Sequence, residues 1–262
     1  MAGVQVMGIV NVTPDSFSGD GVLDHSAAVA RGLGMVEAGA HIVDVGGEST
    51  RPGHTPVEVE EEIARAVPVV RALARAGVTV SVDTSKVEVA RAAADAGAAV
   101  GNDVWGQRRS PEIARLAAER GLGLVLVHNQ EGHRYPGDLV ESVKEGLRRS
   151  LRLALEAGVP PERVVLDPGI GFGKTGEQNL VVLRRLEELL ELGHTVLVGA
   201  SRKSFLGRIF GLDMPVRGWG TAAVVAASVL RGAGMVRVHD VPEMVAVVRV
   251  AEALRAETVR AS

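Results

Sequence analysis

Short apolar and β-branched runs alternate along the chain with longer segments whose apolar positions recur every three or four residues. The short runs predict strands at Val4–Val10, His41–Val45, Val78–Val82, Ala98–Asn102, Leu122–His128, Arg163–Leu166, Thr195–Gly199 and Met235–His239. Most are nearly continuous in apolar residues, as parallel strands covered on both faces are. The longer segments predict helices at Ser26–Glu37, Val57–Ala76, Lys86–Asp95, Pro111–Glu119, Leu139–Ala157, Gln178–Leu192, Gly220–Arg231 and Pro242–Arg255. Gly39, Gly77, Gly97, Gly121, Gly158 and Gly193 stand where a helix stop belongs. Ser26, Thr84, Pro111 and Pro242 stand near predicted helix starts. Pro68 is predicted to kink the second helix.

Eight strands alternating with eight helices predict an α/β fold, the (β/α)8 or TIM barrel. A doubly wound open sheet shares the alternation but needs a reversal of strand order, which sequence does not reveal. No linker, low-complexity tract or charge run divides the chain, so residues 1–262 are read as a single domain.

Composition narrows the function classes. An apolar share of 46% supplies a large core and excludes wholesale disorder. A net charge of −3 gives no basic field for nucleic acid. No apolar run reaches the roughly 18 residues of a membrane span. The opening MAGVQVMGIVNVTP lacks a basic n-region and a small-residue cleavage site, so a cytoplasmic protein without membrane partners is expected. There is no cysteine, hence no disulfide, thiol or Cys–zinc chemistry. Scarce Asn and Gln and absent Cys fit a thermophile, whereas a GC-rich genome accounts for Arg over Lys. Lys86, Lys144, Lys174 and Lys203 are the four lysines.

Barrel enzymes carry their chemistry at the C-terminal ends of the strands. There the sequence places Asn11, Asp44, Asp83, Asn102 with Asp103, His128 with Asn129, Asp167, the run Ser201-Arg202-Lys203-Ser204, and Arg237 with His239. The opposite ends are plainer. Strand ends are often polar simply because the chain leaves the core, but the same behaviour in all eight strands favours a ligand site. Ser201, Lys203, Arg237 and His239 follow strands seven and eight, where barrels often bind phosphate. Arg202 is expected instead to form a structural ion pair with Asp240 or Asp213. Asp83, Asn102 and Asp167 suit a heterocycle with several donor and acceptor edges. Phe17, Trp105, Phe172 and Phe205 are candidates for stacking on a flat ring, or for capping the barrel mouth.

The run GIGFGKTG superficially resembles a phosphate loop. Pro168 occupies the position where a Walker pattern needs glycine. Gly171, Gly173 and Gly176 meet a dinucleotide pattern, but after the sixth strand and without a clear acidic partner, so nucleotide binding is not expected. The histidines show no zinc-ligand spacing.

MGIVNVTPDSFS (7–18), DVGGESTRPG (44–53), SVDT (81–84), NDV (102–104), DPGIGFGKT (167–175), SRKSF (201–205) and RVHDV (237–241) together resemble the dihydropteroate synthase family. The resemblance implies a homodimeric (β/α)8 barrel that requires Mg2+. Its small-molecule substrates would be 6-hydroxymethyl-7,8-dihydropterin diphosphate and p-aminobenzoate, joined in folate biosynthesis at a site that sulfonamides target. It implies that Asp83, Asn102, Asp167 and Lys203 hold the pterin. Asn11, Arg237 and His239 would hold the diphosphate, with Asn11 also on the metal. Thr50, Arg51, Pro52, Phe172, Lys203 and Ser204 would surround p-aminobenzoate, Thr50 also lying near the diphosphate. Asp83, Lys203, Arg237 and His239 are the residues taken as catalytic. Substitution is expected to be dissociative and SN1-like, with the loops at 13–21 and 47–56 closing over the site. Two departures stand out: Ser18-Gly19-Asp20-Gly21 where the family commonly has Ser-Asp-Gly-Gly, and Asn129 where a Met usually follows the histidine. Rival readings are a pterin-binding methyltransferase, which needs no diphosphate clamp, and a catalytically silent pterin-binding relative.

Overall fold

The structure, a computed structural model, describes residues 3–13, 24–49, 56–211 and 217–256, without the side chains of 208–210 and 217. Eight parallel strands close into a barrel in sequence order. They are β1 (Gln5–Asn11), β2 (Ile42–Gly46), β3 (Val80–Asp83), β4 (Val100–Asp103), β5 (Gly123–Val127), β6 (Val164–Asp167), β7 (Thr195–Val198) and β8 (Met235–Val238). The helices among the described residues are α1 (His25–Glu37), α2 (Val59–Arg75), α3 (Val87–Asp95), α4 (Glu112–Arg120), α5 (Leu139–Glu156), α6 (Gly176–Arg184), α7 (Ser204–Phe210), α8 (Arg217–Leu230) and α9 (Val241–Arg255). Pairing of β8 with β1 excludes the open sheet. No described helix is long and apolar enough to cross a membrane.

Each strand is found within two residues of its predicted ends. The six predicted stop glycines all have positive φ, a conformation that costs a residue without Cβ little. Three helical expectations need correction. The first helix is capped by Asp24, whose carboxylate accepts from the Ser26 backbone N–H, and not by Ser26. The predicted segment 178–192 breaks at Arg185 into α6 and a 3-10 turn over Leu186–Leu192. Helix α7 was not predicted, because seven residues are too few to show a helical period. Helix α2 runs on through Pro68.

Residues alternate between two environments along every strand. Met7, Ile42, Val125, Val127, Leu197 and Met235 fill the barrel interior. Val6, Val10, Val43, Val45, Val80, Val82, Val236 and Val238 pack outward against α1–α3, α8 and α9. Leu124, Leu126, Val164, Leu166, Val196 and Val198 do the same on the α4–α7 side. Burying both faces of the sheet is what made the strands read as unbroken apolar runs.

Candidate active site

The inward-facing positions change character from one end of the barrel to the other. Ile42 gives way two residues later to Asp44, Val100 to Asn102, Val165 to Asp167 and Met235 to Arg237. Strand register then sets their height. Asn11 pairs with Gly46, Gly46 with Asp83, and Asp83 with Asn102, so the first four strands present these positions at one level. The C-terminal mouth is therefore a polar layer on an apolar plug, which is where barrel enzymes bind their ligands.

Arg237 organises this layer. Its Nε donates to Asp44 Oδ2 at 2.6 Å, and its Nη2 donates to Asp83 Oδ2 at 2.6 Å. Asn102 Nδ2 donates to the same Asp44 oxygen at 3.0 Å. Asp44 is fully buried; the sequence places it at the mouth but gives it no ligand role. Its signal was a carboxylate within an apolar strand, a burial cost that demands a partner. That partner lies 193 residues away along the chain. Asp44 Oδ1, Asp83 Oδ1 and Asn102 Oδ1 are buried acceptors that find no hydrogen bond among the described residues.

Among the described residues, the mouth brings the carboxylates of Asp44, Asp83 and Asp167 together with the cations Arg237 and Lys203. Burial pushes the Asp83 carboxyl up to about 7, although Arg237 pulls in the opposite sense. Burial also raises Asp167, opposed by Lys203. Lys203 falls to about 8 for the same reason, with Asp167 favouring its charged form. An ionised Asp83 or Asp167 is thus poised to gain from a ligand that brings N–H donors or positive charge.

The turn from β6 into α6 forms one wall. Asp167 Oδ1 accepts from the Gly169 N–H at 2.7 Å. A Cβ on Gly169 would stand 1.8 Å from the His128 carbonyl oxygen, so only glycine fits there. A Cβ on Gly171 would meet the Lys203 stem at 2.7 Å. Lys203 donates its ammonium to the Ile170 carbonyl, and the same nitrogen sits 4.0 Å above the Phe172 ring. Lys174 is almost fully buried beneath this turn, bonding the carbonyls of Gly169 and Phe172 and His128 Nδ1, each at 3.1 Å. The glycines and lysine of GIGFGKTG thus shape a turn, and Thr175 caps α6 through a capping box with Gln178.

His239 and Ser201 meet where β7 and β8 end, with His239 Nδ1 2.9 Å from Ser201 Oγ. Arg202 pairs through two nitrogens with Asp240, as expected of a structural ion pair. Ser204, at the first position of α7, is exposed. Lys86 ties together the two sides of the β2–α2 connection: its ammonium binds Glu48, the Val57 carbonyl at 2.6 Å and Glu62 at 2.6 Å. Thr50, Arg51 and Pro52, the loop 13–21 beyond Thr13, Phe17 and Asp213 lie outside the described residues.

The other stacking candidates separate. Phe172 lies at the mouth beside Lys203. Phe205 is a core residue, 1% exposed, because the first turn of α7 directs it inward. Trp105 faces a cavity outside the barrel wall and carries the Arg109 guanidinium 3.6 Å above its ring. His128 follows the outward parity of Leu124 and Leu126 and packs on Gly146 of α5.

Residues 7–239 match the family described as pterin binding enzyme. A dihydropteroate synthase of Mycobacterium leprae is 47% identical over 255 residues, covering 92% of this chain and 90% of the relative. One from Bacillus subtilis is 43% identical over 251 residues, covering 95% and 88%. Among solved structures, a dihydropteroate synthase from Clostridium difficile, obtained in the presence of pteroic acid, is 42% identical with a TM-score of 0.91 and covers 96% of each chain. A Yersinia pestis dihydropteroate synthase in complex with a sulfonamide drug is 39% identical with a TM-score of 0.91, covering 96% of this chain and 94% of that one.

Proposed function

The chain belongs to the pterin-binding enzyme family, and on that premise we propose that it performs the dihydropteroate synthase reaction of folate biosynthesis. The pterinylmethyl group of 6-hydroxymethyl-7,8-dihydropterin diphosphate passes to the amino group of p-aminobenzoate, giving 7,8-dihydropteroate and diphosphate. The observation that carries this reading is a set of buried acceptors on one hydrogen-bonded network, Asp44 Oδ1, Asp83 Oδ1 and Asn102 Oδ1, with no partner among the described residues. Unmet buried acceptors cost free energy, and the amino and ring N–H groups of a pterin would satisfy them.

In this reading Asp83, Asn102 and Asp167 grip the pterin edge, and Lys203 lays its stem over the ring and its charge near Phe172. His239, oriented by Ser201, and Arg237 face the diphosphate. The C–O bond to diphosphate breaks first, in an SN1-like step, and the surplus of carboxylate charge steadies the resulting pterin cation. The aniline nitrogen of p-aminobenzoate then attacks, and its ammonium loses a proton without needing a strong general base. Thr50, Arg51, Pro52, Phe172, Lys203 and Ser204 are assigned to the p-aminobenzoate pocket, the place a sulfonamide would occupy.

A magnesium ion fits Asn11. This half-buried amide on the last residue of β1 puts its oxygen 3.8 Å from where a Cβ on Gly46 would stand. No cluster of three or more acidic or histidine ligands occurs among the described residues. That suits an ion which keeps its waters and leans on substrate phosphates. When bound, Mg2+ supplies positive charge to the leaving diphosphate. We also propose a homodimer, supported by the exposed Trp219 and Leu230 of α8 and Val250 and Leu254 of α9.

Incubation with the pterin diphosphate and p-aminobenzoate should release diphosphate and dihydropteroate in equal amounts. Pterin binding without diphosphate release would overturn the reading in favour of the silent relative. Methyl transfer from methyltetrahydrofolate would favour the methyltransferase.

A further inference from the structure

A cavity of about 540 Å3 lies outside the barrel wall, between the end of β5, the β4–α4 turn and α5. None of the residues assigned above to pterin, diphosphate or p-aminobenzoate lines it. Its size falls in the range of small-ligand pockets.

His128, 8% exposed, looks into it. Its Nδ1 lies 3.1 Å from the Lys174 nitrogen; when Lys174 is protonated that ring nitrogen can only accept, which places the imidazole hydrogen on Nε2. No hydrogen bond of Nε2 is found among the described residues. A Cβ added at Gly146 would lie 2.9 Å from that nitrogen and 3.8 Å from Nη2 of Arg149, so the two donors can be no further apart than those distances combined. Burial, then the Lys174 charge, keeps the ring neutral, and the Arg108 and Arg149 charges act in the same sense. The charged residues lining the cavity are Arg108, Arg148 and Arg149 against Glu141 and Glu145, a surplus of one positive charge.

The walls are aromatic and fixed. The Tyr135 ring lies 6.0 Å from the imidazole, and its hydroxyl donates to the Gly173 carbonyl at 2.8 Å. Trp105 lines another part of the cavity. Behind it, Gly106 and Gln107 both adopt left-handed backbone, at φ +54° and +69°. The strained Gln107 is held by Asp103, whose carboxylate accepts from its backbone N–H at 2.6 Å and its side-chain amide at 2.7 Å. Strain maintained by a buried network is common at ligand sites.

We propose that this cavity is a second ligand site, for a small aromatic monocarboxylate. The carboxylate lies between His128 Nε2–H and Arg149, and the ring lies among Tyr135 and Trp105. The site shares no reacting group with the barrel mouth, so this proposal and the proposed reaction can fail independently.

The test is a titration of the 15N-labelled full chain with 4-fluorobenzoate, read by amide and indole NMR shifts. Saturable shifts are expected at Gly106, Gln107, Asn129, Gly146 and the Trp105 indole. Arg149→Glu, at an exposed helix position, should weaken that binding by roughly tenfold or more, the equivalent of losing about 1.4 kcal/mol, while Arg149→Lys retains most of it. Shifts confined to Gly169, Gly171 and their neighbours at the mouth would overturn the proposal. So would the absence of shifts, or an unchanged affinity in Arg149→Glu.

Discussion

With Asp83 on the pterin as proposed, pterin affinity should depend on pH, and replacing the residue should separate affinity from stability. Burial holds its carboxyl at about 7, against an ordinary value of 3.8. Only the ionised form offers both oxygens to N–H donors. Below pH 7 each unit of acidity therefore costs about 1.4 kcal/mol, or roughly a factor of ten in affinity, because a proton must leave before pterin binds. Asp83→Asn removes a charge-assisted bond worth about 1.5–3 kcal/mol, a loss of roughly 10- to 150-fold at pH 8, and should flatten the pH dependence. Stability should move the other way. A carboxyl raised on folding contributes stability that is fully present below its unfolded value and is lost as pH rises through about 7. Asparagine stays neutral at pH 8, so the variant should melt no lower than the wild type there. Calorimetric titration with 6-hydroxymethylpterin at pH 6, 7 and 8, beside thermal melts, gives both readouts. Wild-type affinity that does not change between pH 6 and 8, or a variant that keeps the wild-type slope, would refute the reasoning.

Arg237→Ala and His239→Ala should each lose more affinity for the pterin diphosphate than for the free pterin; equal losses measured by calorimetry would misplace the diphosphate. Lys203→Gln should weaken pterin binding and p-aminobenzoate capture together. In the wild type, p-aminobenzoate should bind tightly only after pterin and diphosphate, and tight binding to the empty enzyme would contradict that order. Lys174→Met leaves two carbonyls and an imidazole nitrogen unmet, at about 1–3 kcal/mol each, partly offset by no longer burying a cation. It should lower the melting temperature, and an unchanged melt would show that the buried ammonium is not what holds the turn. Val250→Glu with Leu254→Glu on α9 should shift the protein to monomer in light scattering if the exposed face is the dimer contact.

The sequence by itself determined the period of the fold and the end of it that carries chemistry. Alternating short apolar runs and amphipathic stretches located eight strands to within two residues, because burial on both faces of a parallel sheet leaves a local signature. Polar residues at the strand ends, from Asn11 to His239, marked the mouth, and Arg202 was already separable as an ion-pair residue, with Asp240 or Asp213 as its partner. Pairwise geometry required the closed barrel. Continuous apolar runs conceal which residues face inward, so the opposite directions of Asp167 and His128, both at strand ends, became visible only once the strands were in register. Asp44 gained its meaning from Arg237, which the closure of β8 onto β1 brings within hydrogen-bonding distance from 193 residues away. Phe205 and Trp105 read alike as aromatics beyond a strand, and only packing put one in the core and the other on an outer cavity. Lys174 sits in a glycine-rich run that only superficially resembles a phosphate loop, and the sequence assigns it no role. Its burial under Gly169 and Phe172 makes it a brace for that turn, because a buried ammonium must spend its three donors on whatever acceptors the fold supplies.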